Sequence, residues 1–413
     1  MYSQKILEKY AKLIVVCGAN VQKGQPVIVR GALEAKELVE EVVKQAYEAG
    51  ASDVRVDWND AKLMRMRFDY QSEEALSTIP DWAVDREKWY MNRGCCMISI
   101  STVDPEAMKG VDTKKLRTVQ VAMMQKMPEI MTYSMNNVGQ WTIAAYPNLA
   151  WAKKVFPNDK DSVAVKKLGN AILKCVRVTN NNDPIRAWKI HNNKMRHNGR
   201  KLNALNLAEL HYANSLGTDL TIKLPEGHIW AGGAEKTSDG RKIVFNPNMP
   251  TEEVFSLPHK DGVDGIVYAS KPLVYNGNII DNFWLKFKDG RVVDYDAKVG
   301  KEYLKSLLET DEGSKHLGEV ALVPFDSPIN NSGILFYSTL FDENASCHLA
   351  LGRAYPTCIK GGDKMSNEEL TKRGVNNSFN HVDFMVGTAD LSIVGKTRDG
   401  QTVQVFKNGN FAL

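Results

Sequence analysis

Several features that would classify this 413-residue chain quickly are missing. Its six cysteines (Cys17, Cys95, Cys96, Cys175, Cys347 and Cys358) form no C-x-x-C pair and no disulfide-like framework, which fits a reducing compartment. No apolar run approaches the ~20 residues a membrane helix needs. The opening, Met1 to Tyr10, lacks the basic-then-apolar pattern of a signal peptide, so a cytoplasmic protein is expected. Three N-x-S patterns, at Asn330, Asn344 and Asn376, therefore carry no glycosylation meaning. No G-x-G-x-x-G follows a strand and no G-x-x-x-x-G-K-[ST] occurs, so nucleotide binding has no support. There is no H-E-x-x-H, so nothing supports a thermolysin-like helix site. Net charge is only +4, too mild to argue for a nucleic-acid partner. Internal repeats and low-complexity segments are absent as well.

What is present is an ordinary globular composition. Hydrophobic residues make up 43% and charged residues 25%, enough for a substantial core. The length allows two or three domains at roughly 150 residues each. Ile6 to Val16 has helical spacing. Gln25 to Gly31 reads as a buried strand, and Glu34 to Ala49 as an amphipathic helix stopped by Gly50. Asp53 to Trp58 reads as the next strand. That is a β-α-β unit, and it predicts a parallel sheet with a right-handed crossover. The alternation continues with a helix in two pieces over 74–89, interrupted by Pro80, and a strand over 95–101. A helix over 113–127 should end at Pro128, followed by a strand over 141–146 and a helix over 161–176. Asp183 to Leu205 is a basic helical segment. Trp188 is the only aromatic among its charges, so a solvated helix is the better reading than a nucleic-acid face.

After Leu207 strand patterns dominate. They fall at 209–212, 219–223, 228–231, 242–245, 265–269, 283–287, 291–295, 320–323 and 333–337, with hairpin signals at Lys288-Asp-Gly290 and Arg398-Asp-Gly400. Only 302–310 and 366–373 read as helical. The fold expected is an N-terminal α/β domain with a mostly parallel sheet (1–205), followed by a C-terminal mixed, largely antiparallel α+β domain (206–413).

Between Asn246 and Gly387 acids and histidines recur at the edges of apolar runs: Glu253, Glu319, Glu343, His348, His381 and Asp383. These are oxygen and imidazole ligands of the kind a dinuclear zinc-like site uses. His381-x-Asp383 heads a strand-like run, where residues i and i+2 point to one face and can reach one metal; a surface hydrogen-bonded pair is the plainer reading of so short a motif. His348 lies among apolar residues, where a satisfied core histidine is the usual outcome. Glu343 can be a base or a ligand. Of the adjacent Glu252 and Glu253 only one can point inward, leaving the other solvated or capping. Glu319 opens a strand, where a carboxylate is usually exposed or enters a cleft. Tyr355, before Pro356, is either a packed aromatic or a phenol donor to an oxyanion.

Taken together, Asn248-Met-Pro-Thr-Glu-Glu-Val-Phe255, Gly318-Glu-Val-Ala-Leu-Val323, Ala345-Ser-Cys-His-Leu-Ala-Leu-Gly352 and His381-Val-Asp-Phe-Met-Val-Gly387 closely resemble the thermophilic-type metalloaminopeptidase family, the group of bacterial aminopeptidases S and T. The resemblance covers essentially the whole chain. It implies a cytoplasmic, homodimeric exopeptidase with two divalent metal ions per subunit (zinc, with cobalt or manganese as alternatives). That enzyme would release N-terminal residues from short peptides. Glu253, Glu319, His348, His381 and Asp383 would be ligands, Tyr355 would lie beside the metals, and Glu343 would be ligand or base. Another dinuclear hydrolase, such as an amidohydrolase, and a non-catalytic peptide-binding protein are the competing readings.

Overall fold

The computed structural model describes residues 2–413, which fall into two compact units: 2–193 with 234–251, and 194–233 with 252–413.

The first unit is built on a four-stranded parallel sheet. Its strands are β1 (Pro26–Ala32), β2 (Asp53–Asn59), β3 (Cys96–Ser101) and β4 (Trp141–Ala145), in the order β2-β1-β3-β4. Central β1 is the most apolar because both faces are covered, as parallel sheets require. The helix Lys36–Glu48 packs Leu38, Val39, Val42 and Ala46 inward and ends ahead of Gly50, whose positive φ of 94° suits only glycine comfortably. Pro80 separates the helices Glu73–Ser77 and Asp81–Asn92 as expected. Pro128 does more than end a helix: it also occupies the first turn of the next one, Pro128–Met135, where its missing N–H costs nothing. The helices Ala61–Tyr70 and Leu149–Val155 escaped the sequence reading. The basic helix runs Pro184–Leu205, and Asp183 accepts hydrogen bonds from the Ile185 and Arg186 amides at its start. Its residues from 194 on belong to the second unit: Trp188 and His191 are buried before that point, and Met195 and Leu202 join the second unit's apolar core, while Lys189, Lys194, Arg196, Arg200 and Lys201 stay in solvent.

The second unit holds a nine-stranded antiparallel sheet and a five-stranded sheet. In the larger, Lys288-Asp-Gly290 and Arg398-Asp-Gly400 turn the hairpins Asn278–Lys288/Arg291–Val299 and Ser392–Thr397/Thr402–Lys407. The smaller sheet consists of β5 (Ala231–Gly232), β6 (Val254–Ser256), β7 (Leu317–Leu322), β8 (His348–Gly352) and β9 (His381–Met385), in the order β9-β8-β7-β6-β5. Most of the expected strand at 228–231 is irregular. The one expected over 333–337 is not a strand: Asp342 accepts hydrogen bonds from the amides of Phe336 (2.9 Å) and Ser338 (3.0 Å), and Tyr337 between them takes φ +52°. Both carboxylate oxygens thus wrap the backbone around a local loop.

A candidate metal centre on the five-stranded sheet

Strand alternation sorts the residues of this sheet into two sets. Val254, Val320, Leu322, Leu349, Leu351 and Phe384 belong to the large apolar core on one face. On the other face the register pairs Phe255 with Ala321, Ala321 with His348, Glu319 with Ala350, Ala350 with Asp383, and Gly352 with His381. Glu253, two residues before Phe255, falls on that same face. Glu253, Glu319, His348, His381 and Asp383 therefore converge, and the small residues Ala321, Ala350 and Gly352 leave space between them. A register shift between Leu317 and Glu319 bends β7 beside the site.

The chain is squeezed there. A Cβ on Gly318 would lie 2.2 Å from the Gly352 carbonyl oxygen, and one on Gly352 (φ +105°) would lie 2.2 Å from that of Asn380. Glycine is thus imposed beside Glu319 and beside Arg353, whose carbonyl orients His381.

Two groups of ligand atoms result, each within 4.8 Å: Glu253, Glu319 and His348, then Glu319, His381 and Asp383. Glu319 is common to both. Its Oε1 lies 3.4 Å from His348 Nε2, and its Oε2 lies 3.5 Å from His381 Nε2. Glu253 Oε2 is 3.0 Å from His348 Nε2, and Asp383 Oδ1 is 3.5 Å from His381 Nε2.

Both rings are oriented from behind. His348 Nδ1 donates to the carbonyls of Glu343 (2.9 Å) and Ser346 (3.2 Å), and His381 Nδ1 to that of Arg353 (2.7 Å). Carbonyls only accept, so a neutral ring keeps its proton on Nδ1 and turns the Nε2 lone pair toward the carboxylates. Metal-binding histidines are set up in this way.

The electrostatics fit a cation. Burial pushes the Glu319 carboxyl up to about 7, with Asp383 and Glu253 adding to the push. Burial, then Asp383 and Glu253, hold Glu343 well above the usual carboxyl range. Burial favours neutral imidazoles, yet Glu253 and Glu319 hold His348 well above its ordinary value, and Asp383 with Glu319 lifts His381 to about 9. Protons held on both rings are what four crowded carboxylates demand when no other positive charge is near. Burying such a cluster uncompensated is prohibitively costly. Among the described residues, Asp383 Oδ1 is buried and meets no hydrogen-bond partner. Divalent cations taking oxygen and imidazole donors match this set.

The remaining expected residues sit around these groups. Glu343 lies in the 3₁₀ turn Glu343–Ala345, 6% exposed; it shares the charge field but belongs to neither group. The Tyr355 ring meets His381 edge-on, with centroids 4.8 Å apart, and also contacts Phe255. Of the two alternatives for Glu252, solvated or capping, the solvated one fails: it is 7% exposed, and its amide donates to Asn344 Oδ1 (2.8 Å). Sequence reasoning also passed over Asn376. Buried to 1%, it donates through Nδ2 to the carbonyls of Gly313 (2.8 Å), His316 (3.3 Å) and Gly352 (2.6 Å), tying the approach to β7 to the end of β8. Apart from heading an N-x-S pattern in a turn-rich stretch, it has no local sequence signal for this role.

Fold and site together are those of the metallohydrolase class. The chain belongs to the thermophilic metalloprotease family (M29), whose family model matches residues 3–411. It is similar to aminopeptidase AmpS of Bacillus subtilis, 46% identical over 412 residues, spanning 100% of this chain and 99% of that one. Aminopeptidase T of Thermus aquaticus is 38% identical over 407 residues, spanning 98% of each. The solved structure of wild-type AmpT from Thermus thermophilus matches with a TM-score of 0.89 at 37% identity, covering 99% of this chain and 100% of that one.

Proposed function

We propose that this protein is a metal-dependent aminopeptidase that removes N-terminal residues from short peptides. The observation that carries the reading is the pair of acid–imidazole groups meeting at Glu319. It occurs in a chain whose full-length relatives are named aminopeptidases.

In this reading Glu253, Glu319 and His348 would hold one divalent ion and Glu319, His381 and Asp383 a second, with Glu319 common to both groups. Zinc is the first choice, with cobalt or manganese as alternatives, because the donors suit all three. Such ions, when bound, supply Lewis acidity that acidifies water and polarises a peptide carbonyl. The chain's own residues do the rest. Glu343, buried beside the ligands, takes the proton of the attacking water and passes it to the departing amine. Tyr355, held against His381 and Phe255, donates its hydroxyl to the oxygen that becomes negative as the carbonyl is attacked. The carboxylates hold the free α-amino group of the substrate, which explains a preference for chain ends. We read the enzyme as a cytoplasmic homodimer. No helix among the described residues is long and apolar enough to cross a membrane.

The test is hydrolysis of a leucine chromogenic amide before chelation, after it, and after zinc, cobalt or manganese is returned. Activity lost and then restored, with N-acetylated peptides spared, supports the reading. Cleavage of blocked peptides points to an endopeptidase. Stoichiometric metal without turnover points to a peptide-binding protein or to a different hydrolase substrate.

A further inference from the structure

Asn344 is completely buried and uses its amide on both sides. Nδ2 donates to the Leu340 carbonyl (3.0 Å), which anchors the residue to the preceding helix turn, Thr339–Asp342. The same nitrogen donates to Glu343 Oε1 (3.2 Å). Oδ1 accepts the Glu252 amide at 2.8 Å. One side chain thus joins the carboxylate of Glu343 to the backbone that delivers Glu253, two pieces of chain ninety residues apart in sequence. The turn it occupies has a second duty, because the Glu343 carbonyl orients His348.

We propose that Asn344 is a positioning residue: it fixes the Glu343 carboxylate relative to the Glu253 segment, so that proton transfer and ligand geometry are set by one amide. The proposal rests on the reading of Glu343 as the proton carrier. The chemistry requires asparagine. Aspartate keeps the acceptor toward Glu252 but has no donor for Glu343 and places a like charge beside it. Alanine loses both links. Glutamine adds a methylene to a fully buried side chain that is bonded at both ends of its amide, so it cannot keep both links in place.

The experiment is a double-mutant cycle on the zinc-loaded enzyme, with calorimetric zinc titration of the metal-free proteins. Asn344→Ala is expected to lower kcat by ~10–100-fold with KM changed by less than about 3-fold, and to weaken zinc binding by about 10-fold, the scale of a lost outer-shell partner. In a Glu343→Gln background the same substitution should lower kcat by less than about 2-fold, since its target is already gone. Asn344→Asp, which preserves size and the acceptor, should lower kcat in the parent, leave it unchanged in the Glu343→Gln background, and keep zinc affinity near the parent's. It carries the cycle if the alanine variant does not fold. Losses that multiply independently of Glu343, or unchanged zinc affinity in Asn344→Ala, overturn the proposal while the function stands. Parental kcat in Glu343→Gln alone overturns the proton-carrier reading, and the positioning role falls with it.

Discussion

Replacing Glu319 by glutamine preserves shape and removes one charge from the point where the two groups meet. In the metal-free protein, burial holds the Glu319 carboxyl at about 7 against its usual 4.5. Converted at about 1.4 kcal/mol per tenfold in proton affinity, an ionised Glu319 costs the folded state about 3 kcal/mol relative to the unfolded chain. The sign follows from which state holds the proton. A raised carboxyl binds its proton more readily when folded. The penalty is therefore absent below about pH 4.5, grows as pH rises toward about 7, and is complete above that. Glutamine cannot ionise. With chelator present, Glu319→Gln should be more stable than the parent by up to about 3 kcal/mol near pH 8, and the gain should fade toward pH ~4. Saturating zinc should reverse the order, because ligand binding stabilises only the protein that still binds it tightly. Guanidinium unfolding at both pH values, with and without zinc, reads all four quantities. If Glu319→Gln is the less stable protein in chelator near pH 8, or if zinc stabilises both proteins equally, the account of Glu319 as a strained, shared ligand is refuted.

Other consequences can be checked separately. His381→Ala should lose bound metal by elemental analysis and lose activity, and near neutral pH its circular dichroism melt in chelator should fall, because the imidazolium that Asp383 and Glu319 hold charged no longer offsets those carboxylates. Tyr355→Phe should lower kcat by ~10²-fold with a smaller effect on KM; an unchanged kcat reassigns the ring to packing against His381 and Phe255. Burial holds His228 and His316 below their ordinary 6.5. The unfolded chain protonates first as pH falls, so stability should drop below about pH 6.5, and His228→Gln should flatten that slope in urea titrations.

How much of this was legible in the sequence depends on the range of the signal. His381-x-Asp383 needed only strand alternation, and β9 begins at His381. The β-α-β opening was readable because the helix 36–48 keeps its apolar residues on one stripe. The helix Ala61–Tyr70 does the opposite: Leu63, Met64 and Met66 are all exposed, so its apolar residues follow no inward pattern. The run at 333–337 looks like a strand because it is apolar, but Phe336 is spent on stacking against Phe341 (4.7 Å) and the backbone on Asp342. Neither the neighbouring of β6 and β7 nor the amide of Asn344 has a local signature. Both depend on segments brought together from far apart along the chain, and that information lies in the sheet order alone.

The inward asparagines carry a practical consequence. Asn344 and Asn376 each head an N-x-S sequence, and each is at most 1% exposed once the chain has folded. An enzyme that reads such sequences on the emerging chain meets them before that protection exists. A sugar placed on either amide would replace donors that join Glu343 to its neighbour or hold three carbonyls together. Routing this chain through a eukaryotic secretory host would therefore yield misfolded material unless both serines, Ser346 and Ser378, were changed. Both serines make hydrogen bonds of their own, Ser346 to Gly387 and Ser378 to Asp311, so that remedy has its own structural cost. The choice of expression host is, for this fold, already written into two buried amides.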